Sequence, residues 1–96
     1  MFVILVTYKK PLEIVDKYLA DHAEFLQKGY EKNYFIVSGR KNPRTGGVII
    51  SQLKDRNQLE NILKDDPFHI HEIADYETIE FIPGKYHQDF SVFIAS

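Results

Sequence analysis

There is no cysteine among the 96 residues. That absence excludes disulfides and thiolate chemistry and removes the best zinc ligand. No long apolar run is present either. The stretch from Phe2 ends at Tyr8, far too short to cross a bilayer, and no basic region precedes it as in an export signal. A cytoplasmic protein with no membrane partner is the expectation. Charge of one sign is also missing: the formal net charge is −2, with acids and bases interspersed. Without a basic stripe, nucleic acid is not an expected partner. Internal repeats, low-complexity tracts and interdomain linkers are absent. The length fits one domain over residues 1–96, with a core over 1–83 and a tail over 84–96.

What the chain does contain is a regular succession of elements. Phe2 to Tyr8 (FVILVTY) is β-branched or aromatic at both parities, the pattern of a central strand covered on two faces. Lys9-Lys10-Pro11 ends it, and Pro11 suits the first turn of a helix running to about Glu31. Its stop is expected within Gln27 to Asn33, where Gly29 lies. Tyr34 to Ser38 is a second strand, Gly39 to Gly47 a turn-rich loop, and Val48 to Leu53 a third strand. Asp55 caps a second helix, Arg56 to Leu63, and Asp66-Pro67 opens one short helical turn. Ala74 to Ile82 is a fourth strand, and Phe90 to Ala95 is apolar enough to dock or to pair as an extra strand.

This β-α-β-β-α-β order is the ferredoxin-like pattern, an α+β subunit with a four-stranded antiparallel sheet. Right-handed crossovers put the first and third strands in the middle and both helices on one face. Residues of both parities are apolar in the first strand, so the second face also needs cover. A second copy packed sheet to sheet supplies it, which predicts a homodimer. The alternative is a tail folded over the open face.

Within the first helix, Leu12, Val15, Leu19, His22 and Leu26 follow spacings of three, four, three and four. They form one stripe, so His22 points toward the sheet and needs a partner there. Either it is a core histidine satisfied by one hydrogen bond, or it is aimed into a pocket at the sheet edge. Asp66 has its own local explanation, since an N-cap aspartate accepts from the backbone amide of Phe68 or His69. Asp65, Asp21 and Glu24 are expected at the surface.

Several features together resemble the YCII-related family. They are the amino-terminal strand, the helical histidine with Leu26 just after it, Ser38-Gly39 ending the second strand, Gly46-Gly47 opening the third, and Asp66-Pro67-Phe68 after the second helix. The match covers roughly residues 1 to 83. The resemblance implies a dimeric α/β barrel built from ferredoxin-like subunits paired by their sheets. It also implies a histidine–aspartate active site, which falls here on His22 and Asp66. In this chain Arg40 stands where that family often has a proline after Ser-Gly, which favours an acidic ligand.

The chemistry of such a pair stands on general grounds. A neutral imidazole takes and returns a proton near neutral pH, and a carboxylate on one ring nitrogen fixes the tautomer. No serine or cysteine nucleophile motif competes with it. The expected activity is therefore cofactor-independent proton transfer on a small, aromatic and acidic molecule, of isomerase or lyase type. Arg40 and Ser38 are expected ligand contacts, and Tyr8 a pocket wall. The alternative is a non-catalytic small-molecule binding or sensing domain, or an accessory subunit. Arg40, Lys41 and Arg44 make a basic cluster, read either as a solvated loop tip or as an anion clamp. The loop lacks the ending of a phosphate loop and precedes no helix. His69 and His71 are two apart in a helical turn, where they do not share a face, so no metal is expected there. Tyr34, Tyr76 and Phe35 are read as packing.

Overall fold

In the computed structural model, residues 1–94 are described. Strand β1 (Phe2–Tyr8) leads into helix α1 (Leu12–Glu31). Strands β2 (Phe35–Arg40) and β3 (Gly46–Ser51) follow, then helices α2 (Arg56–Leu63) and α3 (Pro67–Ile70), strand β4 (Ala74–Glu80) and a 3₁₀ helix, Gln88–Phe93. All strand pairs are antiparallel, in the order β2-β3-β1-β4. The first and third strands are thus central, as the ferredoxin-like pattern requires. No helix among the described residues is long and apolar enough to cross a membrane.

Alternation in β1 assigns the two faces. Phe2, Ile4 and Val6 are buried, and the register places them opposite Ser51, Ile49 and Gly47 of β3. Side chains opposite each other across a ladder share a face. This is the face covered by α1, where Val15 joins Phe35, Leu59, Phe68 and Ile73 in the core. Opposite parity gives the other face: Val3, Leu5, Val48 and Ile50, with Val37 50%, Ile79 45% and Phe81 41% exposed. That face is apolar and open in a single subunit.

Several boundaries differ from those read in the sequence. Helix α1 does run to Glu31, as expected, passing through Gly29 and closing at Asn33, which has φ 61°. Tyr34 N–H bonds Gly29 O at 2.8 Å and Asn33 N–H bonds Tyr30 O at 3.0 Å, the two closing bonds of a Schellman end. Gly29 serves packing, because a Cβ there would overlap the Phe35 ring. Helix α3 ends in the same way: Glu72 has φ 53°, and Ile73 N–H bonds Phe68 O at 2.8 Å. Pro11 is the N-cap residue of α1 rather than part of its first turn.

The apolar stripe of α1 is also rotated from the expected one. Leu12 and Leu19 are 43% and 41% exposed, while Tyr18, Phe25 and Tyr30 pack against the core beside Val15. The aromatic flank therefore faces the sheet, where large rings fill the gap between layers. Gly46 and Gly47 open β3, as the family resemblance implies, so the loop is shorter than the residues alone suggested; a Cβ at Gly46 would overlap the Val6 carbonyl. Strand β2 starts one residue late and continues to Arg40, paired with Gly47. Strands β3 and β4 stop early, at Ser51 and Glu80. The tail forms the 3₁₀ helix instead of a fifth strand, and Ala95 lies outside the described residues. Phe93 and Ile94 line a groove together with Met1, Gln52 and Glu80, at the strand ends.

Candidate active site

The site begins with a helix end. Asp66 is the N-cap of α3, and its side chain accepts from Phe68 N–H at 3.0 Å. Pro67 follows at a position where no amide is needed. This explains Asp-Pro locally, but it does not explain why Asp66 is 0% exposed. A buried carboxylate is costly unless its oxygens meet donors. Two more are present: Nδ1 of His22 lies 2.8 Å from Oδ1, and the Tyr76 hydroxyl donates to Oδ2 at 2.6 Å. One oxygen therefore both caps the helix and meets the histidine, while the other takes a tyrosine.

His22 projects from the middle of α1 onto Phe68, with ring centroids 4.0 Å apart and planes 5° from parallel. The side chain is 13% exposed. Since the Asp66 carboxylate only accepts, Nδ1 carries the proton and donates it. In the neutral imidazole the second nitrogen, Nε2, then holds a lone pair. It has no hydrogen-bond partner among the described residues and is not sealed off.

His22 lines a cavity of about 180 Å³ enclosed by α1, the end of β1, the end of β2 and the start of β3. Tyr8, Ser38, Arg40, Leu26 and Phe68 share its wall. All four residues read in the sequence as contacting a ligand pocket, His22, Tyr8, Ser38 and Arg40, are thus brought together, with Asp66 behind them. Lys41 and Arg44 are not. Lys41 donates to Thr7 at 3.2 Å, and Arg44 pairs with Asp16 on α1 near the Tyr8 ring. The Asp16 carboxylate raises the already high Arg44 pKa, so the guanidinium stays charged. Asp65, Asp21 and Glu24 are exposed. His69 and His71 are exposed as well; His71 stacks on Tyr18 with centroids 4.2 Å apart.

A β-bulge sets the facing of Ser38 and Arg40. Phe35 pairs with Ser51 but Val37 pairs with Ile50, so Ile36 is the extra residue. The bulge reverses the parity of β2. Phe35 before it and Ser38 and Arg40 after it all fall on the helix face, opposite Ile49 and Gly47.

Two polar partners were not apparent from the sequence. Tyr76, read as packing, is half-buried with its hydroxyl on Asp66. Its register opposite Val6 puts it on the core face, and alternation with Asp75 and Glu77 was the available signal. Burial first, and then the Asp66 charge, push the Tyr76 phenol far above its ordinary pKa, so it remains a neutral donor. Tyr30 meets Ser38 through their hydroxyls, tying α1 to the cavity wall. A larger groove of about 520 Å³ lies between α1 and the α2–α3 corner, lined by exposed Asp21, Glu24 and Asp65. It holds no buried acid–base pair.

The profile of the YCII-related domain matches residues 1–82. Among solved structures, the chain is similar to 5-chloro-2-hydroxyhydroquinone dehydrochlorinase (TftG) from Burkholderia phenoliruptrix AC1100, in complex with 2,5-dihydroxybenzoquinone. The TM-score is 0.70 at 16% identity, over 85% of this chain and 94% of the other. At that identity the likeness is one of fold. No curated protein matches.

Proposed function

The chain belongs to the YCII-related domain family, and from that premise we propose a cofactor-independent enzyme in which His22 and Asp66 transfer a proton on a small, aromatic, acidic molecule, in a reaction of lyase or isomerase type. One observation carries this reading. His22 Nδ1 is held by a fully buried carboxylate while Nε2 is left unpartnered on a cavity wall.

In this scheme Nε2 accepts a proton from a substrate hydroxyl or an acidic C–H. Asp66 stabilises the imidazolium that forms. The electron pair left on the substrate moves into the ring. In a lyase it expels halide from carbon, or a hydroxyl that leaves as water on taking the proton back from Nε2; in an isomerase a different carbon takes that proton back. Arg40 lies where it can meet a developing oxyanion, and Ser38 and Tyr8 offer hydroxyls to the same ligand. Proton transfer by a positioned imidazole needs no further group and contributes roughly 10²–10⁴-fold. Size agrees: an engineered apolar cavity of about 150 Å³ admits benzene, and this one is about 180 Å³. The structural neighbour is named a dehydrochlorinase and binds a single-ring quinone, which favours the lyase branch. Every group in the scheme lies within residues 1–83. The apolar open sheet face supports a homodimer paired through that face.

A screen of small aromatic acids and hydroxylated rings against the wild type and His22→Ala, read by thermal shift and turnover, tests the proposal. Turnover in the wild type that is lost in His22→Ala is the expected result. Thermal shifts without any turnover would move the assignment to a binding or sensing domain.

A further inference from the structure

Asp66 has two inequivalent oxygens. Oδ1 receives both the Phe68 N–H at 3.0 Å and the His22 Nδ1–H at 2.8 Å. Oδ2 has a single donor among the described residues, the Tyr76 hydroxyl at 2.6 Å. Tyr76 does not line the cavity. It approaches from β4, so it touches Asp66 without reaching the space a ligand would fill. From this arrangement we propose that Tyr76 is a positioning residue that sets the basicity of His22 through Asp66. The proposal rests on the His22–Asp66 reading above and deepens it.

What Tyr76 changes is where the negative charge sits. A buried carboxylate with a free oxygen seeks a counter-charge, and the nearest group able to supply one is His22. A neutral donor on Oδ2 draws charge away from Oδ1 and weakens its hold on an imidazolium proton. That favours the neutral form of His22, the base that proton abstraction requires. Tyr76 suits this task because burial and the neighbouring charge keep its own proton in place. Other groups around His22 are few. Arg40 of β2 and Tyr8 of β1 share the cavity wall, and Asp21 and Glu24 flank it, exposed, on α1. His69 of α3 lies beyond Tyr76, with ring centroids 5.9 Å apart. None of these touches Oδ2.

The test is an NMR titration of the His22 imidazole in the ligand-free protein, comparing wild type with Tyr76→Phe. The expected result is an upward shift of the His22 pKa by roughly half to one unit. The acidic limb of any turnover profile should move by the same amount. An unchanged or lowered His22 pKa overturns the proposal. A second measurement covers the case in which Tyr76→Phe fails to fold. Protein labelled with 3-fluorotyrosine carries a more acidic phenol, which should lower the His22 pKa, and no change there overturns the proposal as well. If the titrations shift as stated and nothing is turned over, the positioning role stands and the catalytic reading fails. If turnover depends on His22 and the titrations do not move, the reverse holds.

Discussion

Asp55 and Asp66 are both N-cap aspartates, yet only Asp66 is buried. The contrast makes a prediction at the scale of the residue. Asp55→Ala removes one exposed capping bond and should cost about 1 kcal/mol. Asp66→Ala also leaves the Tyr76 hydroxyl and His22 Nδ1–H without their acceptor, each costing about 1–3 kcal/mol. A total near 3 kcal/mol or more is expected, measured by urea denaturation. Equal losses at the two sites would mean that the buried contacts contribute nothing. Tyr76 predicts a pH dependence. Its folded pKa is raised above the ordinary phenol value of about 10. Below that pH both states keep the proton, and the contribution is fully present. Above it the unfolded chain ionises while the folded protein does not. Stability then falls by up to about 1.4 kcal/mol per pH unit. Tyr76→Phe should be less stable at neutral pH but should decline less steeply between pH 10 and 11, in denaturation curves taken across that range.

Elements supply two further tests. Glu72 terminates α3 in the left-handed region, at φ 53°. For a residue with a Cβ this conformation costs roughly 1–2 kcal/mol, partly offset by the greater freedom of glycine when unfolded. Glu72→Gly should therefore stabilise by about 0.5–1 kcal/mol, seen as a raised melting temperature. Gly46→Ala should do the opposite. Its Cβ would meet the backbone of Val6, which is held in the central strand and cannot rotate away. A loss of roughly 1–3 kcal/mol is expected from such overpacking, and the cavity beside Gly46 should close, lowering ligand affinity in a thermal-shift assay. The bulge at Ile36 belongs to this scale too. It alone turns Ser38 and Arg40 onto the face that carries His22.

Among the described residues, one sheet face is covered by the helices and the other is left open. Val37, Ile79 and Phe81 are among its most exposed members. The proposed homodimer would bury them. Analytical ultracentrifugation should give a dimer mass for the wild type and a monomer mass for Ile79→Lys. Ile70→Lys is the control, since Ile70 is 59% exposed but lies on α3, away from that face. A monomeric wild type would sink the pairing while leaving the site chemistry intact.

Local chemistry determined much of this protein from its sequence. An unbroken run of β-branched and aromatic residues placed β1, and apolar spacing placed α2, both with their observed limits, and Asp55 and Asp66-Pro67 marked their helix starts by capping. His22 was legible because an ionisable residue interrupts an apolar stripe. Contacts between distant segments were decided by the tertiary structure. Which way β2 faces depends on a single extra residue against β3, and nothing in YFIVSGR signals it. The rotation of α1 that turns Tyr18 and Phe25 inward, and leaves Leu12 and Leu19 out, follows from the space above the sheet. Tyr76 reaching Asp66 depends on the β1–β4 register. These are properties of pairs brought together by folding, whereas periodicity and capping act within a few residues of chain.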